Sequence, residues 1–149
     1  MKRLLTFAAV LAASENKAGS YILKTNNDVM LNIGDRMPDF EVVDQDGNKV
    51  SSKDLAGKRT IIYFYPKDNT SGCTAEACNL RDNYAALVAR GYNVIGVSKD
   101  SAASHRKFAD KYELPFTLLS DTSTQMLQAF GAIEILFYLP QKVSCLRGQ

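Results

Sequence analysis

The residues of this chain best suited to chemistry are two of its cysteines, Cys73 and Cys78. The sequence holds 3 cysteines, the third being Cys145, and an odd number cannot be paired off into a disulfide framework. A chain of 149 residues is also long enough to fold around a hydrophobic core without such cross-links. The cysteines therefore indicate chemistry, although Cys145 alone is more typical of an inert, buried residue.

Cys73 stands where a predicted strand passes into a predicted helix. Residues 60–65 form a continuous apolar or β-favouring run that Pro66 ends, which predicts a strand buried on both faces. Apolar residues recur at intervals of three and four over residues 74–90, which predicts a helix that Gly91 ends. Cys73 then lies at the carboxyl edge of a sheet and beside the positive end of a helix dipole, and this setting stabilises the reactive thiolate.

Two residues of the loop before Cys73 fit this chemistry. Thr70 can offer its hydroxyl to the sulfur or to a bound oxygen, and Pro66 fixes the exit of the strand. Cys78 lies in the same predicted helix, five residues after Cys73. In an intact helix the two Cα atoms are roughly 8.6 Å apart, whereas a disulfide needs about 4.4–6.8 Å. A Cys73–Cys78 disulfide therefore requires the helix start to unwind, and is a switch rather than a staple.

Zinc binding, a cysteine–histidine pair and disulfide exchange with proteins are the alternative chemistries for these residues. A zinc site would use C-x4-C, at the outer edge of usual ligand spacing, and only Cys145 and His105 would remain to complete it. His105 is the single histidine, so a site with two histidines is excluded, and a Cys/His pair depends on where His105 lies in space. A disulfide oxidoreductase acting on proteins usually carries Cys-x-x-Cys. We predict neither a metal nor a cofactor.

The remaining sequence alternates strands and helices around this segment. Residues 39–43 and 49–51, separated by a turn signal, predict a hairpin or a bent pair of strands. Strands are predicted at residues 92–98 and 116–120 and helices at 102–112 and 122–130, the last capped by Asp121 and closed by Gly131. This order predicts an α/β fold with a central, mostly parallel sheet flanked by helices.

Charge and composition narrow the function. The chain has 18 basic and 16 acidic residues, spread without long runs, so we predict no binding of nucleic acid or of an anionic membrane surface. This balance of charges is at least as compatible with a small neutral substrate as with a charged macromolecule.

The amino-terminal residues 1–14 have the order of a secretory signal, namely a basic head, a short apolar stretch and small residues. The stretch is too short to span a bilayer. We predict cleavage after Ser14, export to the periplasm or the exterior, and a linker over residues 15–30. The alternative is a disordered or helical extension of a cytoplasmic protein.

The segment FYPKDNTSGCTAEAC, residues 64–78, resembles the active-site region of the peroxiredoxin Q group, also called bacterioferritin-comigratory proteins. Its Pro-xxx-Thr-xx-Cys motif is specific, and the resemblance extends over residues 31–132. It implies a thioredoxin-like fold, reduction of hydrogen peroxide or organic hydroperoxides, and recycling by thioredoxin. By the same resemblance Cys73 is the peroxidatic cysteine, Cys78 the resolving cysteine, and Pro66 and Thr70 their companions in the active site.

The resemblance ends at the divergent tail, residues 133–149. Peroxiredoxins continue with two more strands and a final helix, and the first of these strands carries an arginine that orients the peroxide. We expect this chain to lack those elements and assign peroxide binding to Thr70, Gly72 and, in place of the missing arginine, Arg147. The alternative is a truncated, catalytically impaired domain that acts as an interaction module or is an inactive product. We expect a monomer or a weak dimer.

Overall fold

The structure is a computed structural model that describes residues 10–13 and 31–132. Within these ranges the strands are β1 (Val10–Ala13), β2 (Glu41–Asp44), β3 (Lys49–Ser51), β4 (Arg59–Phe64), β5 (Tyr92–Ser98) and β6 (Thr117–Ser120). The helices are α1 (Ser71–Asp82), α2 (Tyr84–Ala89), α3 (Ala102–Tyr112) and α4 (Gln125–Ala129), with a short 3-10 helix at Ser52–Leu55.

The described strands form one sheet in the order β1-β4-β5-β6-β2-β3. The strands β4, β5 and β6 are parallel, with Ile62 opposite Ile95 and Val97 opposite Leu119. The predicted hairpin is confirmed, since β2 pairs antiparallel with β3, and it joins the sheet by pairing antiparallel with β6. The parallel centre agrees with the prediction, while the antiparallel flanks make the sheet a mixed one.

The other edge of the sheet is formed by β1, which pairs antiparallel with β4 from Val10 opposite Tyr63 to Ala13 opposite Thr60. This strand lies inside residues 1–14, the predicted export signal. Cleavage after Ser14 would remove β1 and leave β4 as an edge of the described sheet. The signal and the strand are therefore competing uses of the same segment, and the signal stays a prediction.

Two helix predictions need correction. The segment predicted as one helix over residues 74–90 forms two, because α1 ends at Asp82. Its C-cap residue, Asn83, donates from both its backbone and its side-chain N–H groups to the carbonyl of Asn79. The apolar periodicity places Val88 on the buried face of the predicted helix, but Val88 is 49% exposed in the structure.

The last helix begins at Gln125 rather than at residue 122, because the residues after Asp121 form a turn closed by a hydrogen bond from Thr124 N to Asp121 O. Asp121 still caps the helix, since its Oδ2 accepts from Leu127 N at 2.8 Å. Gly131 closes it as predicted, with φ at 65° and with Ala132 N donating to Leu127 O.

The core has two parts, one on each face of the sheet, as alternation along β4 requires. Ile62 and Phe64 belong to a cluster with the hairpin and α4. Tyr63 and Tyr65 belong to a second cluster with residues of α1 and α3, and Cys73 is part of it. None of the described helices is long and apolar enough to cross a membrane. The divergent tail, residues 133–149, lies outside the described residues.

Candidate active site

Cys73 lies in the first turn of α1, directly after the loop that leaves β4. The first hydrogen bond within the helix runs from Thr74 N to Thr70 O at 2.9 Å, so the N–H groups of Ser71, Gly72 and Cys73 have no acceptor inside the helix. These groups and the helix dipole favour a negative charge at this point. Cys73 is only 6% exposed, and the few polar groups near its sulfur therefore act with little screening by water.

Three other residues predicted for the site precede Cys73 along the chain, two in the loop and Gly72 in the first turn of α1. Thr70 is the N-cap residue, but its hydroxyl donates to Lys67 O at 3.3 Å instead of capping the helix. Its oxygen can accept a hydrogen bond in this position, and it must rotate before it can donate one to a peroxide. Gly72 faces open space, because a Cβ placed there would have no neighbour within 4 Å. Pro66 is half-buried next to Tyr65.

Cys78 lies in the same helix as Cys73 and is 2% exposed. Both residues are thiols in this structure. Continuous helix between them supports the premise of the sequence analysis, namely that the disulfide cannot form while α1 is intact. Cys145 and Arg147 lie outside the described residues, and the roles predicted for them stay predictions.

A buried polar network before Cys73 was missed by the sequence analysis. The carboxylate of Asp68, in the loop, accepts from the hydroxyls of Tyr65 at 2.8 Å and Ser104 at 2.7 Å. The Nδ1 atom of His105 lies 2.9 Å and 3.0 Å from the two carboxylate oxygens. His105 comes three residues before the inward Phe108, and that helical spacing was the signal that this histidine is buried and needs partners.

The network determines the charge of its members. Burial raises the pKa of Asp68, but hydrogen bonds from His105, Ser104 and Tyr65 outweigh it and leave that pKa below its ordinary value. Burial raises the pKa of Tyr65, as do the neighbouring Tyr63 and Asp68, so its hydroxyl stays protonated and can donate. Asp68 is therefore a buried carboxylate held by several donors.

Two further groups lie on the same side of the sheet as Cys73. The Tyr63 hydroxyl is buried without a hydrogen-bond partner among the described residues, and burial raises its pKa well above the ordinary value. Burial also raises the pKa of Glu76, on α1. No group of three or more histidine, cysteine or acidic side chains able to hold a metal ion occurs in the described part of the chain.

Comparison with known proteins shows which family this chain is similar to. Residues 33–146 match the sequence model of the AhpC/TSA family. The chain is 45% identical over 103 residues to the putative peroxiredoxin bcp of Coxiella burnetii, covering 69% of this chain and 68% of that protein. It is 49% identical over 100 residues to the chloroplastic peroxiredoxin Q of Triticum aestivum, covering 67% of this chain but 46% of that protein.

The fold is similar to that of solved peroxiredoxins. One is the Xanthomonas campestris bacterioferritin comigratory protein, whose structure was described in connection with its alkyl peroxide reduction activity. It superimposes with a TM-score of 0.60 at 33% identity, covering 62% of this chain and 59% of that one. This likeness confirms the thioredoxin-like fold, and the family match confirms the resemblance read from residues 64–78. The chain belongs to the AhpC/TSA family.

Proposed function

We propose that this protein is a thiol peroxidase that reduces hydrogen peroxide and organic hydroperoxides through Cys73. The observation that supports this most directly is the place of Cys73, buried in the first turn of α1 at the carboxyl edge of the parallel strands, with Cys78 in the same helix. That setting stabilises a thiolate and limits its exposure to other reagents.

The reaction uses two cysteines in turn. The Cys73 thiolate attacks one peroxide oxygen, the O–O bond breaks, and the other oxygen takes a proton and leaves as water or an alcohol. The sulfur, oxidised by two electrons, is then a sulfenic acid. The Cys78 sulfur attacks it, an S–S bond forms, and the hydroxyl leaves as water with the thiol proton. A dithiol then supplies two electrons and two protons to restore both thiols.

Organic hydroperoxides are included for two reasons. The related protein of Xanthomonas campestris is described by its alkyl peroxide reduction activity. In this chain Cys73 is part of an apolar cluster that includes Tyr65 and Phe116. An alkyl group can therefore find apolar surface near the sulfur.

Thioredoxin is the proposed reductant, because the resemblance to the peroxiredoxin Q group implies it and because a dithiol protein can reduce such a disulfide by thiol–disulfide exchange. In intact α1 both cysteines are buried. The unwinding that the disulfide requires brings them out of the helix, which gives a reductant access to the sulfurs only after oxidation.

The test is peroxide consumption by the purified full chain with thioredoxin, thioredoxin reductase and NADPH. Cys73→Ser should abolish turnover, whereas Cys78→Ser should stop turnover but allow one oxidation of Cys73, seen as a mass increase of one oxygen. Cys145→Ser is the matched control and should retain activity. Equal loss of the single oxidation in Cys73→Ser and Cys78→Ser would reverse or overturn the assignment.

A further inference from the structure

The single histidine of the chain is held at both of its ring nitrogens by neighbouring groups. His105 is 0% exposed, and its Nε2 lies 3.1 Å from Leu119 O, which can only accept, so Nε2 carries a hydrogen. Nδ1 faces the two oxygens of Asp68, which is a carboxylate. Both ring nitrogens of His105 therefore have a partner, Nε2 in β6 and Nδ1 in the loop, and the Tyr65 hydroxyl also lies 3.3 Å from Nδ1.

This pair joins three parts of the fold at the loop that precedes Cys73. Asp68 belongs to the loop, His105 to α3, and Leu119 to β6. The loop backbone is held too, since Asp68 N donates at 2.7 Å to Oδ2 of Asp100, which lies two residues after the end of β5. The next residue, Asn69, has φ at 60°, an uncommon conformation for a residue other than glycine.

We propose that Asp68 and His105 are a positioning pair, which fixes the loop of residues 66–70 against α3 and β6 and thereby keeps the first turn of α1 folded around Cys73. Cys73 enters the helix only five residues after Asp68, so displacement of the loop displaces the N–H groups that stabilise its thiolate. The pair thus favours the folded form that attacks peroxide and opposes the unwound form that closes the disulfide. This inference rests on the proposed function of Cys73.

The first test separates positioning from general stability by measuring two rates in the same protein. One is the oxidation of Cys73 to the sulfenic acid by hydrogen peroxide, in a Cys78→Ser, Cys145→Ser background. The other is closure of the Cys73–Cys78 disulfide by diamide. His105→Gln should slow the oxidation by about tenfold or more, because the N–H groups are no longer held in place. It should accelerate closure, because less structure opposes unwinding.

Two variants make this test decisive. Asp121→Asn is the matched control, because Asp121 is also a buried carboxylate with a backbone donor but caps α4 instead of the loop. It should lower the melting temperature and leave the ratio of the two rates unchanged. Ser104→Ala removes one donor to Asp68 at a half-buried position and should shift both rates in the same direction as His105→Gln, by less. It keeps the test available if His105→Gln does not fold.

The second test reads the contacts of the pair directly. Because the chain has 1 histidine, protein labelled with 15N-histidine and carrying no histidine tag gives one ring spectrum. Asp68→Asn should shift the Nδ1 signal more than the Nε2 signal, and an unchanged Nδ1 signal would overturn the pair. The double variant Asp68→Asn, His105→Gln should lose less of the Cys73 oxidation rate than the two single variants combined, since neither residue then faces a partner that was removed alone.

An unchanged ratio of rates in both His105→Gln and Ser104→Ala would overturn the positioning role, as would additive losses in the double variant. Failure of the proposed function is a separate result. A wild-type chain that consumes no peroxide would refute the peroxidase, while diamide closure and the ring spectrum would still test the pair.

Discussion

Replacement of Gly72 by alanine tests whether unwinding of α1 limits disulfide formation. Gly72 lies inside the first turn of α1, its φ is not in the left-handed region, and an added Cβ would meet nothing within 4 Å. Alanine is favoured over glycine within a helix by about 0.5–1 kcal/mol. Since 1.36 kcal/mol corresponds to tenfold, the unwound population should fall by about 2–5-fold.

The rate of Cys73–Cys78 closure should fall by the same factor, because closure proceeds through the unwound form. Stopped-flow oxidation followed by acid quench and mass spectrometry gives this rate. The preceding oxidation of Cys73, measured in Cys78→Ser, tells whether the new methyl obstructs the peroxide. Ala103→Gly, an exposed position of α3, is the control: it destabilises the fold by a similar amount and should leave closure unchanged. Unchanged or faster closure in Gly72→Ala would refute the reasoning.

Four further results are expected. Gly96→Ala should lower stability by roughly 1–3 kcal/mol in urea unfolding, because its Cβ would lie 2.7 Å from the Tyr63 ring; an unchanged midpoint would contradict this packing. Because the pKa of Asp68 is lowered in the folded protein, its carboxylate stabilises the fold above about pH 3.9, the usual pKa of an aspartate. This contribution is lost as the pH falls through the pKa of the folded state. In Asp68→Asn the free energy of unfolding should therefore depend less on pH in the acid range. Arg147→Ala should slow Cys73 oxidation by about 10²–10³-fold if it replaces the family arginine, and an unchanged rate refutes that role. Protein from its native source should begin near Glu15 by intact mass, and an exported form that retains residue 1 would exclude cleavage.

Local structure was largely predictable from the sequence, because its causes are local. The strand predicted over residues 60–65 is β4, shifted by one residue to Arg59–Phe64, and the predicted bounds of β5 and α3 are those observed. The apolar residues of each segment mark its buried face, and they recur with a period of two in strands and of about 3.6 in helices. The helix boundaries that failed, at Asn83 and after Asp121, were decided by side-chain and turn hydrogen bonds that compete with helix continuation.

The candidate site also has a part that local sequence predicts and a part that only the tertiary structure brings together. Cys73 could be placed from the sequence, because a strand followed by a helix start supplies N–H groups and a dipole to whatever residue stands there. The resemblance of residues 64–78 to the peroxiredoxin Q group led to the same prediction for Cys73. The separation of Cys78 from Cys73 also follows from helix geometry alone.

Only the tertiary structure could pair Asp68 with His105, residues that are 37 positions apart in the sequence. Periodicity can show that His105 is buried, but the partner of a buried charge depends on which loop the sheet order brings beneath α3. The pairing of β1 with β4 is likewise a contact between distant segments, and no local pattern in residues 1–14 distinguishes an edge strand from an export signal. Contacts of this kind arise from the packing of whole elements, and their energy appears only once those elements are assembled.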